Sequence, residues 1–254
     1  MQTDRIVMRP RSQGEAIDLG LQMARSSWPA MIRLMPILLV IPVLLAAAAS
    51  LIYPPLALIV LWWLKPSLDR ALLHILSNDL LGLPTGISHI LGERKRWWHG
   101  GHLVSLLWYR FHTGRSAVLP VWQLEQLTGD QRRRRARALA HGDRGAASGL
   151  TIMSAGMELA LMIALLVTLS VLIPESLTGG IDAFDWLLSV AEPALVWPVF
   201  AACYLIVIMM VEPFYVGAGF GLYLNQRCRL ECWDLEPALS ELTRRHARIP
   251  GSAT

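Results

Sequence analysis

Apolar residues run almost unbroken through four stretches of this chain, at about 33–53, 55–79, 150–173 and 193–224. Each is as long as the roughly twenty helical residues that cross about 30 Å of hydrocarbon at 1.5 Å per residue. The pattern therefore predicts an all-α, polytopic membrane protein with four transmembrane helices. Tyr53-Pro54-Pro55 reads as a tight turn between the first two stretches. "PESLTGGIDAFDWLLSVAEP" reads as a loop between the last two, with "FDWLLSV" as a short interfacial helix. Another reading makes residues 30–64 a hairpin that dips in from one side. "HLVSLLWYRFH" and "AVLPVWQLEQL" are apolar on one side and predict interfacial helices, with Trp97, Trp98, Trp108 and Trp122 at headgroup depth.

Charge interrupts three of the stretches. Lys65, Asp69, Arg70 and His74 lie in the second, Glu158 in the third and Glu212 in the fourth. An ionisable group costs several kcal/mol at the bilayer centre, so these six are expected to face protein and neutralise one another. Asp69 is one helical turn from Lys65, and His74 one turn from Arg70. Lys65 can reach Glu212, or Glu158 in its place. Pro66 and Pro213 follow Lys65 and Glu212 directly and predict helix kinks.

Setting Pro66 on Pro213 also sets Ala71 on Ala218 and Asn78 on Asn225. Each charge–proline pair then stands about 20 Å above its asparagine. "LPTGISHIL" and "LEPALSELT" continue the match loosely. The chain thus reads as two parallel copies of one unit: amphipathic helix, outward span, inward span, amphipathic helix. The expected divisions are a first repeat over 1–100, an interfacial connector over 101–131 and a second repeat over 132–254. Gly217 and Gly221, four residues apart, predict a close helix–helix contact.

Composition agrees with a membrane protein. Of 254 residues, 54% are hydrophobic and 17% charged, too apolar for an ordinary soluble domain. Asp4, Glu15, Asp18 and five basic residues through Arg33 precede an apolar run too long for a signal peptide, so the first stretch is expected to remain as an anchor. None of the 23 Lys and Arg residues falls at 53–55 or 174–192. The positive-inside rule then places both termini and the middle segment in the cytoplasm. "QRRRRARALAHGDR" adjoins a span, so its partner is expected to be anionic lipid at the cytoplasmic face, not nucleic acid. No Ser-His-Asp, Cys-His, Walker or HExxH arrangement can be assembled, so no catalytic residue and no enzymatic activity are expected. Cys203, Cys228 and Cys232 make no disulfide framework. His99 and His102 would need His112 or Glu93 to hold a metal, and a plain loop is the reading taken. No metal or cofactor is expected.

The block "PFYVGAGFGLYLNQRCRLECWDLEPAL" (213–239), with "RPRSQGEAIDLGLQMAR" and "WWLKP", resembles a group of uncharacterised proteobacterial inner-membrane proteins. These are usually encoded beside MoxR-type ATPases and transglutaminase-like membrane proteins. Tyr223, Asn225, Arg227, Leu230, Glu231, Trp233, Asp234, Leu235 and Glu236 carry the likeness. The ending is similar, more distantly, to the membrane domain of some glycerophosphoryl diester phosphodiesterases, whose catalytic domain this chain lacks. The resemblance implies an all-helical protein of the bacterial inner membrane with other membrane proteins as partners. Its expected role is a non-enzymatic subunit or scaffold of a multi-protein assembly. The alternative is a small transporter or flippase-like module built on the Lys/Glu cluster. Arg227, Glu231, Trp233, Asp234 and Glu236 would form a charged cytoplasmic collar below the last span.

Overall fold

Ser12 caps the first long helix, α1 (Gln13–Ser50). Its hydroxyl accepts from the Glu15 N–H at 3.3 Å, while the Glu15 carboxylate accepts from the Ser12 N–H at 2.9 Å. This reciprocal box satisfies two amides that would otherwise lack helical partners. The computed structural model describes residues 10–93, 114–125, 127, 129–141, 144–173, 176 and 193–231. All its regular elements are helices, and no strand occurs among the described residues.

A separate amphipathic segment followed by a span from 33 is the sequence expectation; instead α1 runs as one helix through both. Pro29, Pro36 and Pro42 lie inside it. Each removes an amide, leaving the carbonyls of Arg25, Ile32 and Leu38 without the usual i+4 donor. At 1.5 Å per residue its 38 residues extend about 57 Å, well beyond one bilayer core.

Pro54 and Pro55 turn the chain into α2 (Leu56–Leu80). α2 ends in a Schellman motif, with Leu83 N–H donating to the Asn78 carbonyl at 2.8 Å and Gly82 N–H to that of Asp79 at 3.1 Å. Gly82 adopts φ 66°, which an L side chain would resist. The short α3 (Ile87–Gly92) follows. Next come α4 (Arg115–Leu124), α5 (Gly129–His141), α6 (Arg144–Leu172) and α7 (Pro193–Glu231).

Three helices are long and apolar enough to cross a membrane: α1, α6, and α7 from Val196 to Leu230. α2 has the length but not the composition, because every 18-residue stretch of it includes Lys65, Asp69 and Arg70. Burial explains how it carries them. Fifteen of its 25 residues are buried, including all from Leu68 to Asn78.

α1 and α7 cross closely through small residues. A Cβ placed on Gly217 would lie 2.6 Å from the Ala24 Cβ, and one on Gly221 would lie 2.9 Å from the Gly20 Cα. Trp28 stacks on Phe214 beside this crossing, with ring centroids 5.2 Å apart. The opposite side of α7 meets α4, where a Cβ on Gly219 would come within 2.6 Å of the Ser116 carbonyl. α4 is thus built into the bundle and does not lie on its surface: Val121 is 0% and Trp122 8% exposed. Cys203 and Cys228 are buried free thiols, while Cys232 lies outside the described residues.

Candidate functional site

Four helices bring charged side chains to one place. Lys65 of α2 puts its Nζ 2.5 Å from Glu158 Oε1 of α6 and also pairs with Glu212 Oε1 of α7. One turn along α2, Asp69 Oδ2 lies 3.8 Å from Arg115 Nη2 of α4. Arg115 Nε donates to the Tyr215 hydroxyl at 3.0 Å, and Thr151 of α6 meets that hydroxyl at 3.1 Å. Ser154 Oγ donates to Glu158 at 3.4 Å.

Burial makes these pairings obligatory. Glu212 is 0%, Asp69 2% and Lys65 6% exposed. Moving each ion out of water costs several kcal/mol, which only close opposite charge and hydrogen bonds offset. Three carboxylates (Asp69, Glu158, Glu212) face two cations (Lys65, Arg115), which leaves one negative charge. Beside the cluster, Asp69, Arg70, Arg115, Ser116 and Tyr215 line a cavity of about 30 Å³. That is room for two or three waters, since about 10–15 Å³ of such volume holds one.

The six charged residues singled out in the sequence do not form one cluster. Lys65, Asp69, Glu158 and Glu212 come together. His74 lies about 14 Å farther along α2 than Lys65. There its Nε2 is 3.0 Å from Glu93 Oε2 and 3.3 Å from Asn78 Nδ2. The backbone carbonyl of Arg70 accepts from Gln123 Nε2 of α4 at 2.8 Å, and Arg70 lines the cavity beside the cluster. Pro66 and Pro213 sit inside helices that continue past them.

Arg115 and Tyr215 escaped the sequence reading. Arg115 opens a segment whose apolar stripe reads as interfacial, and nothing local points it at Asp69, well back along the chain in α2. Tyr215 carried a signal: it follows Glu212 by three residues, on the same helix face.

A second polar network stands at the far end of α7. Arg227 Nη1 donates to the Tyr223 hydroxyl at 3.4 Å, Tyr223 donates to Glu125 Oε1 at 3.0 Å, and Glu125 Oε2 accepts from Arg135 Nε at 2.8 Å. Arg132 lies 4.0 Å above the Trp122 ring. The end of α7 is thereby tied to the arginine-rich α5 through Glu125. Of the remaining collar residues, Trp233, Asp234 and Glu236 lie outside the described residues, as does the side chain of Glu231. His99, His102 and His112 are outside them too. Among the described residues no group of three or more His, Cys, Asp or Glu side chains could hold a metal ion. Compared with protein-family models, curated proteins and solved structures, the chain matches none.

Proposed function

We propose that this chain is a four-span protein of the bacterial inner membrane that serves as a non-enzymatic subunit or scaffold of a larger membrane assembly. α2 is the fourth span in this reading, its charges held inside the protein by α4, α6 and α7. The two termini and the arginine-rich α5 face the cytoplasm, where α5 adjoins anionic lipid. The two hairpins, α1–α2 and α6–α7, are copies of one unit, and Lys65 and Glu212 occupy matching places in them.

The observation that carries the assembly role is the outward face of α6. Gly145, Gly149 and Gly156 have open space where a Cβ would stand. Met153 is 69% and Ile163 50% exposed on the same side. At 100° per residue, Gly149 lies about 180° from Glu158, so the small-residue face points directly away from the charge cluster. Within the bundle, Gly217 and Gly221 show what such spacing does: they admit another helix. Among the described residues the equivalent face of α6 admits none, and small residues in membranes favour helix contact.

Affinity purification of the full chain in mild detergent, with a photo-crosslinking residue at Met153, tests the reading. Specific crosslinks from position 153 to another membrane protein are expected. A lone monomer crosslinking only to lipid would argue against it. The transporter alternative draws on one feature, the water-sized cavity beside Asp69 and Arg115. It predicts that Asp69→Asn abolishes a measurable proton or solute flux in vesicles.

A further inference from the structure

At the end of the α1–α2 hairpin remote from Tyr53, a cleft of about 450 Å³ opens between α1 and the segment leading into α3. Ser26, Ser27 and Arg33 line it from α1, Asp79 from the last turn of α2, and Thr85 from the following segment. The Schellman turn at Gly82 folds that segment back to make the third wall.

Opposite charges share this cleft without pairing with each other. Arg33 is exposed. Asp79 is fixed by one oxygen, since Ser27 Oγ donates to its Oδ2 at 2.5 Å. Its other oxygen is left for the cleft. The Ser26 hydroxyl donates to the Met23 carbonyl at 2.8 Å, and the Thr85 hydroxyl stands by as an additional hydrogen-bonding group. A ligand that satisfies both ends carries an anion and a cation on one short frame.

Depth narrows the class. Arg33 and Ser27 precede Ser50, the last residue of α1, by 17 and 23 residues, or about 26 and 35 Å of helix. Asp79 follows Leu56, the first residue of α2, by 23 residues, again about 35 Å. On both helices the polar lining therefore falls near or beyond the far boundary of a hydrocarbon core about 30 Å thick, in the headgroup layer. This placement rests on the four-span reading above.

We propose that the cleft binds the phosphoethanolamine headgroup of a membrane phospholipid. Arg33, with the hydroxyl of Thr85, takes the phosphate. Asp79 takes the primary ammonium, whose N–H groups can donate to the free carboxylate oxygen. A choline headgroup has no N–H to donate, and a glycerol headgroup brings no cation for Asp79. The cleft volume lies within the range of small-molecule sites, about 300–1,000 Å³.

The test is native mass spectrometry of the full chain in detergent, offered equal amounts of phosphatidylethanolamine, phosphatidylcholine and phosphatidylglycerol. Phosphatidylethanolamine adducts are expected to exceed the other two by about three- to fivefold, the scale of one partly exposed ion pair. Asp79→Asn, whose amide oxygen still accepts from Ser27, is expected to level phosphatidylethanolamine with phosphatidylcholine. Arg33→Gln, at an exposed position, is expected to weaken retention of all three. Equal retention of the three lipids by the native chain would overturn the proposal, as would an unchanged preference in Asp79→Asn. Soluble glycerophosphoethanolamine offered to protein in nanodiscs separates the sources. If it binds and the lipid does not, the lipid proposal and the depth assignment both fall. If neither binds, the site falls and the four-span reading stands.

Discussion

Replacing Lys65 by Met removes one ammonium and little volume, so the response reports charge. In the native chain that ammonium pairs with both Glu158 and Glu212, and Glu212 has no exposed surface. Breaking a buried pair by deleting one partner costs about 3–5 kcal/mol, because the surviving charge stays desolvated. The packing penalty of a nearly isosteric change is smaller, usually under about 1.5 kcal/mol. Against a typical stability of about 5–15 kcal/mol, the charge term alone removes a fifth or more. The expected result is strongly reduced membrane accumulation of Lys65→Met and earlier unfolding in mixed micelles titrated with denaturing detergent, followed by tryptophan fluorescence. Adding Glu158→Gln and Glu212→Gln takes the orphaned charges away, and the triple variant is expected to recover most of the loss. Neutralising a whole buried ion cluster is often nearly neutral. If Lys65→Met unfolds within about 1 kcal/mol of the native chain, or if the triple variant is no more stable than the single one, the ion pairs do not hold the helices together.

Gly217→Leu is expected to lower the thermal midpoint in detergent by fluorescence-detected size exclusion. Its Cβ alone would come within 2.6 Å of the Ala24 Cβ, and overpacking costs about 1–3 kcal/mol or more. Gly156→Leu, where a Cβ meets nothing, is expected to leave that midpoint unchanged while disrupting co-purification of a partner. Tyr223→Phe removes the hydroxyl that links Arg227 to Glu125, and should cost about 1 kcal/mol by equilibrium unfolding. Its effect should be non-additive with Glu125→Gln, and simple additivity would show that the link is not a unit. Tyr53→Cys is expected to react with an impermeant maleimide added outside spheroplasts, since the four-span reading puts the α1–α2 turn on the periplasmic side.

What could be read from the sequence divides along a physical line. Long apolar helices announce themselves because the solvent imposes the same demand on every residue of the stretch, and that demand is visible one residue at a time. α1, α6 and α7 meet it. α2 does not, and its Lys65, Asp69 and Arg70 show that its environment is partly protein. The need for partners was therefore legible, and the candidates for Lys65 were few, because a carboxylate in an apolar helix is conspicuous wherever it stands. Arg115 lacked that conspicuousness. It sits among polar residues at the start of a ten-residue helix, and only tertiary packing carries it to Asp69 and Tyr215.

His74 shows the converse. Its spacing from Arg70 joined it to the cluster on paper, whereas the fold gives it Glu93, a residue the sequence offers only as a metal ligand of last resort. Helical spacing fixes which side chains share a face; it does not say at what depth a second helix stops supplying charge. The same limit hid Gly20. Gly217 and Gly221 advertise a close contact by their spacing alone, but the small residue that receives them lies about two hundred positions earlier, in a segment whose pattern reads simply as amphipathic. A close crossing needs smallness on both helices, and only one half of such a pair has to look like a motif. On the proposed assembly role the open glycines of α6 follow the same asymmetry: a helix that met Gly149 and Gly156 would need no glycines of its own, so crosslinking from Met153 tests for a partner where a search for a matching motif does not.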